Sequence, residues 1–379
     1  MDSEVERPIF LNFKNKLNKN RNHKYMLKIF IILIIIIEIM LNVGILNFII
    51  KNNAKLINMN LKLKNDFNIQ LLNLKKSIKI KNNGNEEFDE IINKEYRKNQ
   101  INFCRNINEK LIHEFEDRIK LAKVIFNNIS YNMFVYKKKD IVSSYISKRN
   151  KWEEKETNNL INGLNYYAKK NNLIYNDIYI IDVGGNIGWY TFLLGKYGYN
   201  LITFEPSKIN YYILNKNFCL NKNLNITIIN KGLFTEEKIC NILSAKNNIG
   251  NGMVNCNENI VNNTINNGKI ILTKFRNYIS FFENKNLAMI KMDIEGSEGK
   301  AFESGIEFIT KYHVPFIFIE FAPNLLIENG TNPKKFLEMF IRNGYKINLQ
   351  NFFEQKVYDI EYIPKKIKNL YIVYTPFLK

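Results

Sequence analysis

The chain has 379 residues, 46% of them hydrophobic, and a formal net charge of +19 at pH 7. That apolar content supplies one sizeable core plus an accessory region. The charge comes from a lysine-, asparagine- and isoleucine-rich composition spread along the whole chain, with no basic stripe interleaved with aromatics, so no nucleic-acid partner is expected. Cys104, Cys219, Cys240 and Cys256 form no C-x-x-C pair and few histidines lie near them, which excludes a zinc site of the usual spacing. Cys219 reads as a small core residue on a helix edge, and Cys240 and Cys256 can pair in a luminal domain.

In chain order, residues 1–26 read as a short basic tail. Residues 27–50 are apolar apart from Lys28, Glu38, Asn42 and Asn47, long enough for a transmembrane helix and too long for a cleaved signal h-region. Lys14, Lys16, Lys19, Arg21 and Lys24 precede this span and Lys28 stands at its start, with no acid among residues 14–28, whereas Asp66 joins the lysines that follow it. The flanks therefore predict a signal anchor with a cytoplasmic N-terminus, membrane attachment through that helix, and the rest of the chain in the secretory pathway. Residues 51–100 read as a polar stem and 101–170 as an accessory helical segment. Within the latter, Ile107, Leu111, Phe115, Ile119 and Ala122 fall at helical spacing.

Residues 171–379 form the expected catalytic domain. Strands are predicted at 179–183, 201–205, 226–230, 289–293, 314–320, 345–348 and 370–374, with helices at 189–196, 208–219, 298–310 and 333–342. Asn332 caps the last of these and Pro333 opens it. This alternation makes an α/β fold with a mostly parallel sheet. Residues 246–269 are polar and Gly/Asn-rich, a candidate substrate loop.

The first strand runs into Asp182-Val-Gly184-Gly185-Asn186-Ile-Gly188, a tight glycine turn opening a helix. Its G-x-N-x-G spacing departs from the dinucleotide G-x-G-x-x-G, and a carboxylate at Asp182 suits the ammonium of S-adenosyl-L-methionine better than a pyrophosphate. Glu205, at the end of the second strand, is spaced to take the two ribose hydroxyls of an adenosine. The expected cofactor site is therefore Asp182, Gly184, Gly185, Asn186, Gly188 and Glu205.

Lys291-Met-Asp293-Ile-Glu295-Gly296-Ser297-Glu298 resembles the K-x-D-x-E-G-x-E element of FkbM-type methyltransferases. The order DVGGNIGWYTF, ITFEPSKINYYILNKN, IKMDIEGSEGKAFESGIEFI and VPFIFIE is similar to that family from about residue 179 to 374, and Phe134-Val-Tyr, Asp140-Ile-Val-Ser and Trp152-Glu153 resemble a segment upstream of the core in some members. The resemblance implies a class I methyltransferase Rossmann-like fold with an antiparallel final strand. It also implies S-adenosylmethionine as donor and a hydroxyl on a glycan or other small molecule as acceptor. One position departs from the family: Arg276 stands at or beside an acidic turn residue.

Ligands of open α/β sheets sit beyond the carboxyl ends of the strands, which puts Asp293, Glu295 and Glu320 forward as catalytic residues, in that order. His23, His113 and His313 fall away from that edge; a divalent cation on Asp293 and Glu295 stays open as an alternative, and no feature demands a metal. Two other readings stay open: a nicotinamide-dependent oxidoreductase on the same fold, and a non-catalytic membrane-anchored interaction protein.

Overall fold

A computed structural model describes residues 85–105, 112–256, 263–355, 357–363 and 366–379. The expected tail, the anchor at 27–50 and most of the stem lie outside the described residues. Among the described residues no helix is long and apolar enough to cross a membrane. Residues 84–379 form one compact unit.

The unit opens with α1 (Asn85–Arg105) and α2 (Ile112–Glu116), then β1 (Ile119–Phe126), β2 (Ile129–Tyr136), α3 (Ile141–Arg149) and α4 (Glu154–Asn171). Ile119 and Ala122, expected on a helix, belong instead to the β1–β2 hairpin. Asn127 takes a left-handed φ of 49°, which closes a two-residue turn, and the flanking residues then alternate: Ala122, Val124 and Phe126 are buried while Lys123 and Ile125 face out. The stem expectation is also shortened, because α1 begins at Asn85 and packs on the core. Gln100 is fully buried; its side-chain amide donates to the Ile226 carbonyl at 3.3 Å and accepts from the Ile228 amide at 3.1 Å. A disulfide joins Cys104 to Cys219 across 115 residues of chain, so Cys219 is more than a core filler.

The catalytic-domain elements follow: β3 (Ile178–Val183), α5 (Trp189–Lys196), β4 (Asn200–Phe204), α6 (Lys208–Leu220), β5 (Ile226–Ile229), β6 (Gly232–Phe234), β7 (Lys238–Ala245), β8 (Asn248–Asn255) and β9 (Thr264–Lys274). After them come β10 (Asn286–Met292), α7 (Glu298–Glu303), α8 (Glu307–Thr310), β11 (Phe316–Phe321), α9 (Pro323–Glu328), α10 (Pro333–Arg342), β12 (Tyr345–Asn348), β13 (Lys368–Tyr374) and α11 (Thr375–Leu378).

The main sheet has the order β12-β13-β11-β10-β3-β4-β5, with β13 antiparallel to both of its neighbours and the other pairs parallel. Its central strands are covered on both faces, which is why β4, β10 and β11 read as continuous apolar runs. On one face Ile180, Leu201 and Phe318 pack with residues of α4, α5, α6 and the β1–β2 hairpin. On the other, Ile181, Ile202 and Ile290 pack with Phe302, Phe308 and Phe340.

Two helix expectations meet different outcomes. Asn332 accepts from the Lys335 amide and Pro333 opens α10, as the capping pattern predicts. The single helix expected over 298–310 is instead α7 and α8, separated at Gly305. A Cβ there would lie 2.6 Å from the Phe275 ring, so the aromatic occupies the space a continuous helix needs.

The 246–269 segment is not a free loop. It lies mostly in β8 and β9, part of a second sheet of order β6-β9-β7-β8, and a disulfide joins Cys256, which follows β8, to Cys240 of β7.

Candidate active site

A cavity opens at the carboxyl ends of β3, β4, β10 and β11. Its walls include Val142, Trp152 and Glu153 from the accessory segment and Gly250, Asn251 and Gly252 from β8. The walls are hydrogen-bonded to each other: Tyr136 Oη donates to Asn210 Oδ1 at 2.6 Å, and Asn210 Nδ2 donates to the Gly250 carbonyl at 2.9 Å. The segment expected to face substrate lines this cavity, but as a strand rather than a loop.

One end of the cavity is the glycine turn. The amides of Gly184 and Gly185 both donate to the Phe204 carbonyl, at 2.9 and 3.1 Å. Gly184 has φ 79°, and a Cβ on it would fall 1.9 Å from the Asp293 carbonyl oxygen; one on Gly185 would fall 2.3 Å from Thr203. These glycines are therefore required by the close approach of neighbouring strands, as well as by the cavity they line. Asn186, also left-handed at φ 49°, donates its amide to Glu205 Oε2 at 2.8 Å, and the Ser207 amide donates to Oε1 at 2.9 Å. Glu205 thus fastens the turn to the end of β4 while lining the cavity. Burial pushes its carboxyl up to about 7, against the opposing pull of the two backbone amides.

Asp182 departs from its expected role. It does not line the cavity; only 1% of its side chain is exposed. Its Oδ2 accepts from Thr191 Oγ1 at 2.6 Å and its Oδ1 stands 3.5 Å from the Lys291 ammonium. Lys291 also donates to the Gly184 carbonyl at 3.0 Å and lies 3.7 Å from Asp293 Oδ2. Burial alone would push this ammonium down, but Asp182 and Asp293, with Glu153 beyond, outweigh it and hold its pKa above the ordinary lysine range. Asp182 therefore holds Lys291, and Lys291 holds the glycine turn.

At the other end of the cavity, Asp293, Glu295 and Glu320 come together, with one oxygen of each within 4.8 Å of the others. Asp293 follows β10 directly and its amide donates to the Val183 carbonyl at 3.0 Å; Glu320 belongs to the neighbouring strand β11. Glu295 turns inward through a left-handed φ of 52° beside Gly296 at 89°. Burial, then the charge of Asp293, raises the carboxyl groups of both Glu295 and Glu320. Glu298 is buried below them with its Oε1 accepting from the Ile294 amide at 2.9 Å, and burial pushes it up to about 8.

Sequence reasoning missed Lys291 and Glu153 as site residues. Lys291 was signalled by a cation inside an otherwise apolar strand, and Glu153 by nothing stronger than its place beside Trp152. Glu153 sits at φ 38°, accepts from Tyr190 Oη at 2.6 Å and is raised by burial. Arg276, the departing position, is not on the cavity wall: its Nε donates to the Ser304 carbonyl and its guanidinium approaches Glu307 at 4.0 Å. His313 stacks on Tyr374, remote from the cavity lining.

Among solved structures, the bifunctional kinase-methyltransferase WbdD is similar at 9% identity and a TM-score of 0.36, over 61% of this chain and 42% of that one. A tRNA (uracil-54, C5)-methyltransferase of Pyrococcus abyssi, in complex with S-adenosyl-L-homocysteine, is similar at 10% identity and a TM-score of 0.32, over 67% and 44%. Magnesium protoporphyrin IX methyltransferase from Synechocystis PCC 6803 is similar at 10% and 0.31, over 57% and 82%. The chain spans about two fifths of the length of WbdD. These likenesses are weak, and the sheet order described above characterises the fold better than they do. No curated protein sequence matches the chain. Residues 182–347, from the acid that anchors Lys291 to the penultimate strand, match the family model of the methyltransferase FkbM domain.

Proposed function

We propose that the chain is an S-adenosylmethionine-dependent O-methyltransferase whose acceptor is a hydroxyl of a glycan or other small molecule. The observation that carries this reading is the division of one cavity between two chemistries. The turn Gly184, Gly185, Asn186 and Gly188 with Glu205 offers a nucleoside end; Asp293, Glu295 and Glu320 offer a cluster of proton acceptors. In the transfer, the acceptor oxygen forms a bond to the methyl carbon as the carbon–sulfur bond breaks, and the electron pair leaves on sulfur to give a neutral thioether. The hydroxyl proton passes to a carboxylate, for which Asp293 at the head of the β10 turn is the first choice. Alignment of oxygen behind the methyl group supplies much of the rate.

The test is calorimetry of S-adenosylmethionine on the full chain, with NAD alongside, followed by transfer of labelled methyl groups to extracted glycans and small metabolites. Binding of the methyl donor and label on a hydroxyl support the reading. Binding of NAD alone would favour the oxidoreductase reading, and binding of neither the non-catalytic one.

The same reading puts the domain in the lumen of the secretory pathway, anchored by residues 27–50 with the N-terminus cytoplasmic. Two disulfides that use all four cysteines support an oxidising compartment, in agreement with the charge flanking the span. Protease added to sealed microsomes should trim the N-terminus and spare the rest; digestion of the domain without detergent would reverse the orientation.

A further inference from the structure

We propose that Asp293, Glu295 and Glu320 hold a hard divalent cation of the Mg2+ or Mn2+ type, and that this cation receives an acceptor with two adjacent oxygens. The inference rests on the methyltransferase reading of the same cavity.

The geometry comes from two neighbouring parallel strands. β10 ends at Met292 and delivers Asp293, while β11 runs beside it in register and carries Glu320. The left-handed Glu295 then turns its carboxylate back toward the same point. Oxygens that share a cation at about 2.0–2.6 Å lie at most about 4–5 Å apart, and the three carboxylates meet that limit, with one oxygen of each within 4.8 Å of the others.

A second observation is independent of the acids. Ser297 is wholly buried on the same cavity wall, and its Oγ has no hydrogen-bond partner among the described residues. A buried hydroxyl in a roomy polar site takes a ligand or an ordered water, and a water in a cation's shell satisfies it. Charge balance points the same way. Five carboxylates line the cavity, Glu153, Glu205, Asp293, Glu295 and Glu320, against two lysines, Lys231 and Lys291. Lys291 is shared among Asp182, the Gly184 carbonyl and Asp293, whose Oδ2 lies 3.7 Å from the ammonium.

The oxygen-only donor set selects a hard cation over zinc or copper. Three protein ligands leave room for two acceptor oxygens and a water in an octahedral shell. Bound there, an acceptor hydroxyl would lose its proton more readily, to a carboxylate oxygen of the cluster that the cation leaves free, and its lone pair would form the bond to the methyl carbon as the carbon–sulfur bond breaks.

The test uses the full chain stripped with EDTA and titrated with Mn2+, reading free Mn2+ by electron paramagnetic resonance. One saturable Mn2+ per chain, displaced by Mg2+, is expected. Glu320→Gln and Glu295→Gln should each weaken it by about tenfold or more, whereas Glu303→Gln, on the exposed face of α7, should not. A wild-type chain that binds S-adenosylmethionine but no Mn2+, or that transfers methyl groups equally well in excess EDTA, overturns the cation site and leaves the methyltransferase reading standing. Failure to bind S-adenosylmethionine, whatever Mn2+ does, removes the methyltransferase reading instead.

Discussion

The Lys291 ammonium stands 3.5 Å from Asp182, with 5% and 1% of the two side chains exposed, so the acid that ends the first parallel strand faces into the protein. Breaking a buried pair by removing one partner leaves an uncompensated charge and costs about 3–5 kcal/mol. Asp182→Asn should fall toward the lower end of that range, because Asp293 remains 3.7 Å from the ammonium. Urea unfolding measures the loss. Unchanged stability with lost cofactor affinity would mean that Asp182 contacts the cofactor directly.

Glu205 sets a pH dependence of opposite sign for stability and for cofactor affinity. Its carboxyl rises from 4.5 to about 7 on folding, so the folded chain keeps a proton that the unfolded chain releases. Its contribution to stability is full below about 4.5 and is lost as pH rises through about 7. A ribose hydroxyl donates best to the ionised form, so S-adenosylmethionine affinity should instead increase roughly tenfold from about pH 6 to 8. Calorimetry across that range should show the increase, and Glu205→Gln should abolish it.

Gly184→Ala and Gly268→Ala separate backbone strain from collision. Both glycines have positive φ, 79° and 101°, but a Cβ on Gly268 meets nothing within 4 Å whereas one on Gly184 meets the Asp293 carbonyl at 1.9 Å. Strain alone costs about 1–3 kcal/mol at either site. Gly184→Ala should cost more than Gly268→Ala in thermal unfolding and should also reduce methyl transfer, since it displaces Asp293. Equal losses in the two variants would show that the approach at Gly184 is easily relieved.

The two disulfides should differ in weight. Cys104–Cys219 closes 115 residues and Cys240–Cys256 closes 16. Loop-closure entropy assigns about 4–5 kcal/mol to the first and about 3 kcal/mol to the second. Chemical denaturation of Cys219→Ser and Cys256→Ser should therefore show the larger loss in the former.

The buried strands were legible because both faces are covered: Ile178–Val183 and Phe316–Phe321 admit few polar residues, and their order with the intervening helices dictates a parallel sheet. The α10 boundary was legible for a local reason, the Asn332 cap and Pro333. The helix expected through Ala122 failed because Leu121 and Ile125 are apolar yet exposed, which blurred the strand alternation into a helical spacing. Residues 246–269 were read as a loop because asparagine and glycine mark turns, whereas here the backbone ladder with β7 decides the structure. Glu205 and the three acids Asp293, Glu295 and Glu320 were placed on the cavity by the rule that ligands lie beyond strand ends. Which way Asp182 points depends on Lys291, a partner from a strand more than a hundred residues away, and no local pattern records it.

The buried Gln100 has a consequence for where this protein can be cut. Its amide occupies the place of a further strand beside β5, completing hydrogen bonds to Ile226 and Ile228. A polypeptide begun at the family-matched segment would bare that strand as an unpaired edge, a template for a second copy to add to, and would carry the Cys219 thiol without Cys104. The smallest autonomous version of the domain therefore includes α1, and versions that lack it should come out of expression as oligomers or aggregates.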